Sequence, residues 1–194
     1  HFQYDQVGRL RFTLQPDATP GTTADNPYTE TVYDLVGRVT DTYDELRNRA
    51  TISYYADGTP DAGRRYQTIL DTGSSLLATT YSYDSAGNVR YVTDPRGNTT
   101  ETLYDDQGRP TTVNYPATDE HPATQSTTDY DILGRRIATT DQEGKISRYR
   151  YDGLGRLTSV TAPPVAGCPG HGSGAGTRPS TTIAYDLTTA PTTR

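Results

Sequence analysis

The chain has 194 residues, room for one ordinary domain or a run of small repeats. It carries 18 Lys+Arg against 24 Asp+Glu, a formal net charge of -6, so it has no field that would gather nucleic acid or an anionic membrane. No apolar run approaches the roughly 20 residues that span a bilayer, and a single cysteine, Cys168, excludes a disulfide-stapled scaffold.

Leu, Ile, Val and Phe together make only 29 residues, a share that on its own leans toward disorder. The 16 Tyr and 35 Thr replace part of the missing apolar area, and both residue types suit strands. There is no charged segment followed by an apolar stretch, hence no signal peptide. The chain opens at His1 and holds no Met, and the expectation is a piece of a longer protein.

In chain order, Tyr4-Asp5-x-x-Gly8-Arg9 opens the sequence. Residues 15–29 are Pro/Thr/Gly-rich and read as a long loop. Tyr33-Asp34-x-x-Gly37-Arg38 follows, then a longer hairpin end at 57–64. Tyr83-Asp84-x-x-Gly87-Asn88 comes next, then Asp94-Pro95-Arg96-Gly97-Asn98 and Tyr104-Asp105-x-x-Gly108-Arg109. Residues 115–127, with Pro116, His121 and Pro122, read as an insertion. Tyr130-Asp131-x-x-Gly134-Arg135, Asp141-x-x-Gly144-Lys145 and Tyr151-Asp152-x-x-Gly155-Arg156 complete the series. Residues 161–180, rich in Gly and Pro, have little to pack and are expected to be mobile. A last Tyr185-Asp186 lacks the glycine.

The spacing predicts the architecture. Tyr83 to Tyr104 and Tyr130 to Tyr151 are equal steps, each split by a second Asp-x-x-Gly, so the elementary period is about 10 to 11 residues. In Asp-x-x-Gly the carboxylate accepts backbone N–H bonds two or more residues on, and Gly supplies the positive φ that ends a type I turn with a bulge. About six residues remain per strand, the modal length. Alternation agrees in Tyr81-Ser82-Tyr83 and Tyr149-Arg150-Tyr151 and is less clean in Val89-Arg90-Tyr91-Val92. Every connection is short, so each strand pairs with its predecessor. The prediction is an all-β antiparallel meander of roughly 12 to 16 strands, which should curl because twisted open sheets rarely stay flat beyond about 10.

These six Tyr-Asp-x-x-Gly-Arg/Asn copies resemble the YD repeats of the RHS-repeat family, which includes Tc-toxin shell components and teneurins; the likeness runs from Tyr4 to Asp186. The resemblance implies one segment, 1–194, of a curved open sheet forming part of a hollow shell, in which the repeats form long β-hairpins. In bacterial members such a shell commonly encloses a toxic C-terminal polypeptide, and in teneurins a related shell serves adhesion. It implies a non-enzymatic structural module without a cofactor. Its partners would be the remaining repeats of the parent protein and an enclosed polypeptide, and the location secreted or cell-surface. On this reading the repeat Tyr residues pack the wall, the Asp residues cap the turns and the Gly residues allow them. Exposed edge strands would invite self-association. Asp94-Pro95-Arg96-Gly97 superficially matches the family's Asp-Pro-x-Gly self-cleavage segment, but it lies in phase with the repeat and reads as a turn.

Other motifs invite other chemistry. Ile69-Leu70-Asp71-Thr72-Gly73-Ser74-Ser75 copies the catalytic loop of pepsin-like proteases, which needs two carboxylates sharing a proton. No second Asp-Thr-Gly or Asp-Ser-Gly exists, and Asp-x-Gly also suits a hairpin turn. Cys168-Pro169-Gly170-His171 offers two metal ligands where structural zinc needs about four. The turns offer one or two carboxylates each, with Arg adjacent, which is poor for calcium. Asn98-Thr99-Thr100 is a glycosylation sequon inside a turn. Rows of exposed Tyr would make an adhesion or carbohydrate-binding module the alternative function; the discriminating observation is whether those Tyr are covered.

Overall fold

The protein is described here by a computed structural model covering residues 1–14, 28–163 and 180–183. Every regular element among them is a strand: β1 (Phe2–Tyr4), β2 (Leu10–Leu14), β3 (Tyr28–Tyr33), β4 (Val39–Tyr43), β5 (Arg49–Tyr54), β6 (Arg65–Asp71), β7 (Leu76–Tyr83), β8 (Val89–Thr93), β9 (Thr99–Tyr104), β10 (Pro110–Tyr115), β11 (Thr124–Tyr130), β12 (Arg136–Thr140), β13 (Ile146–Tyr151), β14 (Leu157–Thr161) and β15 (Ser180–Thr182). The hydrogen-bonding order is the sequence order, with β1 and β15 at its ends, so the ladder does not close on itself. The chain divides into two units, His1–Thr100 and Glu101–Arg194.

The all-β meander is the predicted fold, and its turns have the predicted chemistry. Gly8, Gly37 and Gly87 have φ of 85, 91 and 90°, and Gly108, Gly134 and Gly155 have 74, 83 and 81°. That left-handed conformation is open to Gly and strained for other residues. Each hairpin of the six Tyr-Asp-x-x-Gly copies also carries a one-residue bulge just after the turn. Tyr83 faces Val89 while Ser82 faces Tyr91, so Arg90 is the extra residue. The same slip follows Tyr33, Tyr130 and Tyr151. This bulge interrupts the alternation in Val89-Arg90-Tyr91-Val92, because two residues of the returning strand oppose one of its partner. The hairpins made by Asp44 and Asp141, at the opposite end of the strands, pair without a slip.

Several insertions are shorter than their composition suggests. Tyr28 and Thr29 lie in β3, paired with Leu14 and Thr13. Tyr28 is held there by its edge-on contact with the Phe12 ring, 5.6 Å between centroids. The 115–127 insertion reduces to 116–123, because Tyr115 ends β10 and the Thr-rich start of β11 pairs with it through Thr124. Thr161 and Ser180, at the margins of the 161–180 stretch, pair with each other.

The sheet has little that could be called a core. Among the described residues only Ala138, 7% exposed, is buried, and no polar residue is. In β3, β4 and β14 every successive residue is half-buried, so both faces are partly covered and neither is sealed. The repeat tyrosines therefore do not form a buried core, contrary to the reading of them as replacements for Leu and Ile. A single layer has no second layer to press its apolar face against.

Candidate functional site: an arginine–tyrosine ladder

The chemistry-bearing residues gather at the end of the strands where the Tyr-Asp hairpins turn. In the hairpin of β3 and β4, the Asp34 N–H donates to the Arg38 carbonyl at 2.9 Å and the Gly37 N–H to the Asp34 carbonyl at 3.1 Å. Asp34 Oδ1 accepts the N–H groups of Val36 and Arg38 at 3.0 and 2.8 Å. Its Oδ2 accepts Arg38 Nε at 2.7 Å. One carboxylate thus satisfies two loop amides and fixes the arginine. Asp5, Asp105, Asp131 and Asp152 repeat the arrangement with Arg9, Arg109, Arg135 and Arg156. At Asp84 and Asp94 the partner side chains are the amides of Asn88 and Asn98, each at 3.0 Å.

The fixed guanidinium lies over the tyrosine of the following hairpin. Within the first unit Arg9 lies 4.6 Å from the Tyr33 ring centre, Arg38 4.5 Å from Tyr54 and Arg64 5.3 Å from Tyr83. Within the second, Arg109 covers Tyr130 at 4.5 Å and Arg135 covers Tyr151 at 4.9 Å. Each such tyrosine also reaches back. Tyr33 Oη donates to the Leu10 carbonyl at 2.8 Å, Tyr54 to Val39 at 2.7 Å and Tyr83 to Arg65 at 2.9 Å. Tyr130 and Tyr151 donate to Pro110 and Arg136 at 3.1 and 2.9 Å. The accepting residue always directly follows the covering arginine and starts the bulged strand. There the bulge keeps its carbonyl out of the ladder to the next strand, which begins two residues later, at Phe12, Asp41 or Gln67. The tyrosine hydroxyl takes up the acceptor that the bulge releases. Replacing Tyr54 by Phe should remove one partly buried bond and cost about 1 kcal/mol in chemical denaturation, whereas Tyr54→Leu, which also loses the Arg38 contact, should cost more.

The carboxylates are tuned by the same contacts. The Arg9 and Arg156 backbone N–H groups, aided by their guanidinium groups, hold Asp5 and Asp152 below the ordinary carboxylate range. At Asp105 the Arg109 side chain is the main cause, and at Asp44, Asp84 and Asp94 the Asn48, Asn88 and Asn98 amides are. At Asp34 and Asp131 partial desolvation is the largest single influence and pushes upward. The donors of Arg38 and Val36, and of Arg135 and Leu133, together outweigh it, and both carboxyls remain lowered.

Two turns depart from the Asp-x-x-Gly pattern. Tyr43-Asp44-Glu45-Leu46-Arg47-Asn48 makes the same turn with Arg47 at φ 64° in place of Gly. Arg47 is held in that conformation by the rings of Tyr28 and Tyr43, at 4.8 and 4.6 Å. The 57–64 hairpin end is a disguised repeat. Tyr55 stands where Asp would, pairing with Arg64 and Gly63 through its backbone, and Asp61 Oδ1 supplies the carboxylate to Arg64 Nη1 at 2.6 Å. The spacing of Gly63-Arg64 ahead of a strand was the available signal.

The tempting motifs resolve as turns. Asp71 is the last residue of β6, paired with Arg49 and Leu76, rather than part of a connection. The two-residue Gly73-Ser74 loop lets pairing run one step further than the motif suggested, closed by the Thr72 N–H on the Ser75 carbonyl. Asp71 Oδ1 accepts the Gly73 N–H at 2.8 Å. Asp71→Asn should leave the far-UV circular dichroism unchanged; loss of a peptide-cleaving activity in that variant would contradict the turn assignment. Asp94 forms the same capped turn as the repeats, with Gly97 at φ 86°. Asn98 of the sequon spends its amide on Asp94. Among the described residues no group of three His, Cys, Asp or Glu is placed to hold a metal ion. Cys168, His171, Tyr185 and Asp186 lie outside the described residues.

The RHS Repeat family model matches residues 83–120 and 130–163. No curated protein sequence matches it. Among solved structures, the TcdB2-TccC3 crystal structure superposes with a TM-score of 0.70 at 17% identity, over 95% of this chain and 11% of that one. TcdB2-TccC3 without the hypervariable C-terminal region gives 0.65 at 17% identity, over 82% and 9%. The Tc holotoxin pore of Photorhabdus luminescens gives 0.62 at 16% identity, over 80% and 8%. The fold is therefore shared with the matched parts of these structures, and the chain spans about one tenth of each of them.

Proposed function

We propose that this chain is a non-enzymatic section of an RHS-repeat shell wall, one segment over 1–194, curved around a polypeptide cargo such as a toxin domain in a secreted or surface protein. The observation that carries this reading is the single-layer sheet with one buried residue among those described. A domain that binds or catalyses on its own normally seals one sheet face. A wall instead needs cohesion along its length, and the arginine–tyrosine ladder supplies that from hairpin to hairpin. The Tyr-Asp-x-x-Gly-Arg residues are on this view the mortar of the wall. Its partners are further repeats of the parent protein and the enclosed polypeptide, and its edge strands are open to self-association.

The adhesion or glycan-binding alternative needs open tyrosine faces, and the guanidinium groups occupy a face of Tyr33, Tyr54, Tyr83, Tyr130 and Tyr151. The test is limited proteolysis of the whole parent polypeptide. An enclosed segment should resist protease until the wall is unfolded; a segment cut as fast as an isolated peptide refutes enclosure. Saturable glycan binding lost on Tyr→Ala exchange would favour the alternative.

A further inference from the structure

Among the described residues, one repeat tyrosine of the first unit lacks the two contacts that Tyr33, Tyr54 and Tyr83 share. Tyr4 ends the edge strand β1 and is 61% exposed. Its ring and its own turn border an open cavity of about 430 Å³ lined by Tyr4, Asp5, Gln6, Val7, Arg9 and Arg11. The two arginines there are already engaged, Arg9 Nε with Asp5 at 2.6 Å and its guanidinium over Tyr33, and Arg11 with Glu30 at 3.3 Å. Val7, at the tip of the turn, is 74% exposed.

The neighbouring rung shows what such a site takes. At Tyr33 the occupant is the Arg9 guanidinium, 4.6 Å above the ring, with Nη1 donating to the Asp34 carbonyl at 3.4 Å. That carbonyl already accepts the Gly37 N–H at 3.1 Å, and the Asp5 carbonyl accepts the Gly8 N–H at the same distance. Asp5 therefore keeps the same spare lone pair as Asp34. We infer that Tyr4 and the Asp5 carbonyl form a docking site for one kind of partner: a β-hairpin turning through Asp-x-x-Gly-Arg, whose guanidinium lies on the Tyr4 ring. Its Nη1 donates to the Asp5 carbonyl, and Tyr4 Oη donates to the carbonyl that follows the incoming arginine. The inference rests on the wall reading and specifies which side-chain contact joins this edge of the wall to the next hairpin. Backbone pairing to β1 alone would accept any strand; the ladder contact makes the edge selective for an arginine-terminated turn.

The probe is a synthetic hairpin of residues 146–161, closed by a disulfide across its ends, titrated into the 194-residue chain with the Tyr4 ring followed by nuclear magnetic resonance. Saturable binding is expected, with a change in the Tyr4 ring signals and an upfield ring-current shift of the probe's Arg156 side-chain protons. Changing Arg156 to Gln in the probe should weaken it roughly two- to fivefold, the worth of an exposed cation–π contact. Tyr4→Leu in the chain should weaken the arginine probe at least as much, and the two changes combined should cost little more than either alone. Equal affinity of the arginine and glutamine probes would overturn the arginine–tyrosine contact while leaving the edge as a place of wall continuation. No saturable binding of either probe would overturn the docking site itself. Neither result bears on the enclosure tested by proteolysis.

Discussion

Replacing Gly134 by valine should destabilise the sheet by about 1.5–3 kcal/mol. The left-handed backbone conformation costs a β-branched residue roughly 1–2 kcal/mol, and Gly134 sits at φ +83°. A Cβ at Gly134 would also stand 3.0 Å from Arg109 Nη1. To clear it the guanidinium must shift by a few tenths of an ångström, which loosens its contact with the Tyr130 ring and costs about 0.5–1 kcal/mol more. Gly144 provides the control in the same unit. Its φ is +76° and nothing lies within 4 Å of its would-be Cβ. Gly144→Val should therefore cost only the backbone part, about 1–2 kcal/mol. Urea denaturation of both variants measures the difference. Equal losses would mean that the ladder contact at Tyr130 contributes nothing to stability.

Acid should unfold the sheet below about pH 4, the ordinary range of an aspartate in the unfolded chain. Asp5, Asp34, Asp84, Asp94, Asp105, Asp131 and Asp152 are all lowered in the folded chain by their turn donors. A carboxyl lowered on folding binds fewer protons in the native state than in the unfolded one. Its contribution is complete above the unfolded value and is lost as the pH falls through the folded value. Because the same turn recurs along the chain, these losses share one direction and accumulate. Far-UV circular dichroism against pH should show sheet signal constant from neutral pH to about pH 5 and falling in the acid range. Exchanging Asp34 and Asp131 for Asn should lower stability at neutral pH and flatten the acid limb. A limb unchanged in that double variant would show that these carboxylates do not govern the transition.

The apolar residues explain why so much rests on the turns. Leu35, Val36, Ile132 and Leu133 sit at hairpin tips with exposures of 105, 75, 96 and 72%. They are withdrawn from any core, so what holds the strands in register is the backbone ladder and the polar contacts at its ends. A short Asp carboxylate that serves two loop amides and one guanidinium does there what a buried Leu does in an ordinary sheet.

The fold was legible in the amino-acid order because its determinants are local. Asp-x-x-Gly dictates a turn within five residues, and turns at intervals of about 10 to 11 leave no room for anything but neighbouring antiparallel strands. The turn glycines, the strand count and the pairing order all follow from that. Departures were hidden where a residue type broke the pattern while the backbone kept it. Arg47 takes the glycine conformation because two tyrosine rings hold it, and Tyr55 takes the aspartate position because Asp61 brings a carboxylate from elsewhere in the loop. Only the tertiary structure decided what the repeated Tyr and Arg are for. The partners in the ladder, such as Arg38 with Tyr54 or Arg135 with Tyr151, are 16 residues apart in the chain. They meet because strand pairing brings successive Tyr-Asp turns side by side, roughly 10 Å apart across two strands. A periodic sequence declares that its tyrosines and arginines are equivalent from repeat to repeat. It does not declare that each arginine serves the next tyrosine, because that depends on the register and the bulge that aim the two side chains at each other.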